Sequence, residues 1–198
     1  MHHPTEKNVD LLKRTYQIRQ MSRNKNLIPS GTLTFLRLII LPGGHSDPSQ
    51  GWTNGLATVS KTGSVFIRAE CSVTEGRHIG KKFEVRIGLK SPKGPWWRKR
   101  GRELILDILN SKHALPKNEN SEKALRSRRL KSLKDLDGSK FQAKIKIVKD
   151  YKGFEINEID AVIIPEDMET DLHSPRLRQA DLTSKLTAAV SPPMWMRD

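Results

Sequence analysis

Trp96 and Trp97 stand side by side in the stretch SPKGPWWRKRGRE (91–103), between a Gly-Pro bend and Arg98, Lys99, Arg100 and Arg102. Neighbouring side chains rarely share one buried face, so two indoles in a row suit a core poorly. They suit a surface that holds something flat and negatively charged. Flexible single strands are gripped in this way, by aromatic platforms that stack bases and cations that track phosphates. From Lys81 to Arg102 nine basic residues stand against one acidic residue, a net +8 on one strand and the loop after it. Lys82 and Arg86 point outward from that strand, and Phe66 and Arg68 point outward from the strand beside it. Trp52, in PSQGWTNG, is a further candidate platform, or packs its own loop. Arg126, Arg128, Arg129 and Lys131 form an outer rim expected to contact phosphates without reading bases. Adjacent residues in a loop after Pro95 can point to opposite sides. This assigns stacking to Trp97, beside Arg98, and the closing of the core to Trp96.

Catalytic chemistry has weaker support. The six histidines, at 2, 3, 45, 78, 113 and 173, show no metal-ligand spacing. His45 and Asp47 make the best acid–base pair, but no nucleophile motif accompanies them. PGG and EGRHIG do not match a glycine-rich phosphate loop, so no cofactor is expected. Cys71 is the sole cysteine, which excludes an internal disulfide and a cysteine-based zinc site. It falls on the inward face of its strand, as a small core hydrophobe. The expectation is a protein that binds rather than catalyses.

The partner follows from charge. With 36 Lys and Arg against 22 Asp and Glu, the formal charge of +14 favours a polyanion. A membrane surface is the other candidate, but no stretch approaches the ~20 apolar residues of a spanning helix. FLRLIILP (35–42) is short, interrupted by Arg37 and stopped by Pro42, and the first ten residues lack a secretory apolar region. A cytoplasmic protein is expected.

The elements that must position these residues are mostly strands. The 198 residues allow one ordinary domain with tails. TLTFLRLIIL (32–41) reads as a strand, and residues 56–73 as a hairpin with Gly63 at the positive-φ position of a three-residue loop. KKFEVRIGLK (81–90) alternates, with Phe83, Val85, Ile87 and Leu89 inward. The period becomes helical in RELILDILNSKH (102–113), where Leu104, Ile105, Ile108 and Leu109 form an apolar stripe. A basic connector (112–134) carries eight Lys or Arg and two Glu, and holds a short helix capped by Asn120 or Ser121. A second hairpin (139–165) turns at Asp150–Gly153.

The expected fold is therefore mainly β with minor α. It is a five- to six-stranded oligonucleotide-binding-like barrel, with one helix between strands 3 and 4 and an extra short helix in a basic insertion. Residues 1–31 read as a basic N-terminal extension, 32–165 as the nucleic-acid-binding domain, and 166–198 as a flexible tail.

WTNGLATVSKTGSVFIRAECSVTEGRHIGKKF (52–83), LKDLDGSKFQAKIKI (133–147) and NEIDAVIIPEDMET (157–170) resemble a family of small phage, prophage and integrative-element proteins with an oligonucleotide-binding fold. The resemblance implies sequence-independent binding of single-stranded DNA in replication or recombination of a mobile element, with a recombinase or replication protein as a further partner. The chain departs from that pattern in its mildly acidic tail and its unusually basic and aromatic GPWWRKRGR. Two alternatives use the same residues: RNA binding, and a protein-interaction adaptor anchored by its tryptophans.

Overall fold

The sheet begins with a strand that keeps a strict period of two. In β1 (Leu33–Leu41), Leu36, Leu38 and Ile40 are buried, while Leu33, Phe35, Arg37 and Ile39 face out. The computed structural model describes residues 27–164. Six more strands follow: β2 (His45–Asp47), β3 (Trp52–Val59), β4 (Val65–Val73), β5 (Lys82–Lys90), β6 (Lys140–Lys149) and β7 (Glu155–Val162). All their pairings are antiparallel. β1 lies between β4 and β6; β4 carries β5 on its other side, and β6 carries β7. β3 extends the β1 side of β4 through Val65 and Phe66, with the short β2 beyond it. β5 and β7 come close without a ladder between them, so the sheet curls into a half-barrel.

Both hairpins form as their turn residues require. Gly63 takes φ 78° in the first. In the second, Asp150 Oδ1 accepts from the amides of Lys152 (2.8 Å) and Phe154 (2.9 Å). The core is continuous and contains Ile28, Leu36, Leu38, Ile67, Ile87, Phe141 and Ile145. Ile28 extends it past the expected boundary at residue 32. Its amide donates to Asn157 Oδ1 (2.8 Å), and Asn157 Nδ2 donates to its carbonyl (2.7 Å). Buried amides must be hydrogen-bonded, and this clasp does that for both residues. The expected N-terminal extension up to residue 26 and the expected tail lie outside the described residues.

The helix corrects the sequence reading. α1 spans Trp96–His113, so it begins six residues before Arg102 and takes in both tryptophans. Its start carries no conventional signal: Pro95 supplies no side-chain cap, and the first turn has no acidic residue. Tertiary packing supplies the extra turns instead. Trp97, Gly101, Ile105 and Ile108 follow helical spacing on one side of α1. There Gly101 meets the backbone of Gly88 in β5 so closely that a Cβ at 101 would fall 1.9 Å from the Gly88 carbonyl oxygen. A Cβ at Gly88 would in turn fall 2.7 Å from Trp97 Cδ2. α2 (Glu122–Ser127) is capped by Ser121, whose Oγ accepts from the Ala124 amide at 3.3 Å. A 3-10 turn (Leu133–Leu136) follows, with a Ser132–Asp135 capping box that the sequence reading did not include.

The glycine contact sets the sign of a substitution. At an open helix position Gly→Ala gains about 1 kcal/mol in propensity. Gly101→Ala should instead destabilise by about 3 kcal/mol, the upper part of the range for overpacking. Urea denaturation reads the difference, and an unchanged or raised midpoint would show that α1 is not seated on Gly88.

Candidate nucleic-acid interface

Register places the outward side chains of β1, β4 and β5 in rows across the sheet. One row runs Lys140, Arg37, Ser72, Lys82; the next is Ile39, Glu70, Glu84; the third is Leu41, Arg68, Arg86. Arg68 and Arg86 are both exposed and directly opposite, an arrangement that destabilises a bare sheet and favours an anion between them. Arg86 also lies 5.7 Å from the centre of the Phe66 ring. Lys82 is partly neutralised by Glu70, at 2.8 Å. The fourth row is Phe66 and Gly88, and α1 covers it.

That cover decides the tryptophans, opposite to expectation. Trp97 is half-buried, seated on Gly88 with its ring 5.8 Å from that of Phe66 at 48°. Trp96 is 65% exposed, and the Arg100 guanidinium lies 5.3 Å over its ring. Trp96 is the exposed indole and Trp97 the packed one. Being in a helix, they are about 100° apart around its axis, which suffices to separate one from the sheet. Lys99 is exposed beside them, while Arg98 and Arg102 are half-buried.

Three further expected site residues do other work. Phe66 points outward from its strand as expected, but Trp97 buries it, so it offers no free face. Trp52 is buried in the core with the His45 ring 6.2 Å away, and packs rather than displays. Arg128 is buried, which corrects its assignment to a phosphate-contacting rim. Its Nε donates to Asn110 Oδ1 at 2.7 Å, and its other nitrogens donate to the carbonyls of Pro116 (2.6 Å), Lys117 (3.4 Å) and Glu119. A buried guanidinium costs free energy unless its donors are engaged; here they tie the connector to α1. Arg126, Arg129 and Lys131 are exposed, with Arg126 paired to Glu122 one turn earlier.

The structure adds residues that the sequence reading passed over. Phe35 (39% exposed), Ile39 (38%) and Arg37 stand on the outer face of β1. The alternation in TLTFLRLIIL carried the signal, but apolar residues on both faces of the strand masked it. Tyr151 is 88% exposed at the tip of the second hairpin, with Lys152 Nζ 5.4 Å from its ring centre.

His45 and Asp47 are the first and last residues of β2. The Ser49 hydroxyl, 2.6 Å from Asp47, holds that carboxyl below its ordinary value. Among the described residues, no group of three or more His, Cys, Asp and Glu is placed to hold a metal, and no helix is long and apolar enough to cross a membrane. Comparison with known proteins gives no relative: no protein-family model matches the chain, and no curated protein matches it.

Two outcomes follow. Trp96→Ala should leave stability within about 0.5 kcal/mol, as for exposed positions. Trp97→Ala should cost about 2 kcal/mol, below the ~3–5 kcal/mol of a fully buried Trp because one side meets solvent. Equal melting temperatures for the two variants would contradict this division. Burial, reinforced by Glu70, pushes the Cys71 thiol up to about 12. Below that pH the folded-state thiol is neutral and enclosed, so a thiol-specific disulfide reagent at pH 8 should react only after denaturant is added.

Proposed function

We propose that this protein binds single-stranded DNA without sequence preference, on an oligonucleotide-binding barrel, in support of replication or recombination of a mobile element. The connectivity supports the barrel assignment. β1, β4, β5, β6 and β7 would be its five barrel strands, with β2 and β3 inserted between the first two and α1 after the third. The mobile-element role rests on the sequence resemblance alone.

One observation carries the binding reading: an exposed indole with a guanidinium over its face, beside Lys99, on a chain of charge +14. Trp96 would stack a base, while Arg100 and Lys99 take the phosphates on either side. The opposed Arg68 and Arg86 would continue the track over the sheet. Binding would draw on counterion release and stacking, both indifferent to base identity. The exposed Phe35 and Ile39 favour a second reading, a surface for a protein partner, and aromatic anchors serve that purpose as well.

Ionic strength separates the two readings. Fluorescence titration with single-stranded DNA, duplex DNA and RNA oligonucleotides at two salt concentrations should show tightest binding to single-stranded DNA, with quenching. Trp96→Ala should weaken binding by about 1–3 kcal/mol. Replacing Arg68 and Arg86 with Gln should flatten the slope of log affinity against log salt by roughly 1.4, at about 0.7 per lost phosphate contact. Salt-independent binding would overturn the reading, and tighter binding of RNA would reassign the strand.

A further inference from the structure

A cleft of about 210 Å³ lies between β3, the end of β5, α1 and residues 130–133. Among the described residues, Lys90, Arg98, Arg102 and Lys131 line it together with one carboxylate, Asp47. Three separate elements thus deliver positive charge to one concavity. Arg98 and Arg102 are a helical turn apart on one face of α1, Lys90 ends β5, and Lys131 precedes the 3-10 turn. Asp47 is tied to its own turn by the amide (3.2 Å) and hydroxyl (2.6 Å) of Ser49. Trp52 and Leu133, both buried, give the cleft apolar walls. Gly51 brings the 3-10 turn Pro48–Gln50 close to the other side: a Cβ at 51 would lie 3.6 Å from the Lys131 carbonyl oxygen.

Size and charge narrow the ligand. At about 210 Å³ the cleft has room for a phosphate or diphosphate group. A phosphomonoester carries about −1.5 to −2 at pH 7, so it draws more from the exposed Lys90 and Lys131 that line the cleft than does the single charge of a diester inside a strand. The basic first turns of α1 also oppose the positive end of the helix dipole, an arrangement that a bound anion relieves. We propose that this cleft seats a phosphomonoester or diphosphate, separately from the internal phosphodiesters that Lys99 and Arg100 would contact. The proposal goes beyond strand binding and stands without it.

Pyrophosphate is the probe, titrated calorimetrically into the full chain at low salt. The wild type should bind it saturably, one to one. The double variant Lys90→Gln/Lys131→Gln removes two exposed side chains, should melt like the wild type, and should weaken pyrophosphate binding at least tenfold. Lys99→Gln/Arg126→Gln removes the same charge outside the cleft and should change it less than twofold. Non-saturable binding, or equal weakening in both variants, would overturn the proposal. Oligonucleotides ending in phosphate or in hydroxyl identify the source. A tenfold preference for the phosphate end, lost in Lys90→Gln/Lys131→Gln, would make it a strand terminus; equal affinities with saturable pyrophosphate binding would make it a free diphosphate. A protein that binds hydroxyl-ended strands but not pyrophosphate refutes the cleft and leaves the strand reading intact. The reverse result refutes the strand reading alone.

Discussion

The approach of Gly101 to the backbone of Gly88 sets the position of everything around it. Two glycines let a helix and a strand meet without side chains between them. That contact fixes the depth and rotation of α1, puts Trp97 over Phe66, and leaves Trp96 outside with Arg100 across its face. It also brings Arg98 and Arg102 to the cleft that Lys90 and Lys131 complete. A side chain at either glycine would lift the helix and move Trp96 and the cleft together.

The strands were legible because each buries one face, and a period of two survives any detail of packing. The short β2 was not, since three residues leave no period to read. The start of α1 was hidden for another reason: residues 96–101 have neither a side-chain cap nor an acidic first turn, and it is the contact with β5 that extends the helix through them. From that one displacement came the exchange of roles between Trp96 and Trp97. Phe66 shows a related limit. Alternation gives the side of the sheet on which a residue stands, but not whether a helix lies over that side.

Charge was the least legible property at the level of single residues. Arg126, Arg128 and Arg129 are indistinguishable in a basic run, yet Arg128 is buried under four backbone and side-chain acceptors while its neighbours are exposed. Burial of that arginine depends on carbonyls at 116, 117 and 119 that a connector happens to aim inward, and sequence spacing carries no trace of them. The exposed cations form a pattern of their own. Arg68 stands directly opposite Arg86, and like charges so placed destabilise a sheet.

The clasp between Ile28 and Asn157 ties residues 129 positions apart. During synthesis, Ile28 leaves the ribosome long before its partner exists. At 5–20 residues per second, roughly 6–26 s separate the two. Through that interval the peptide groups of Ile28 lack the side chain that satisfies them in the finished fold, and β1 lacks its β6 partner. The nascent chain therefore cannot close stepwise from its N-terminus. Its last core strand completes the fold, and a ribosome stalled before β7 would hold an open sheet with a live edge.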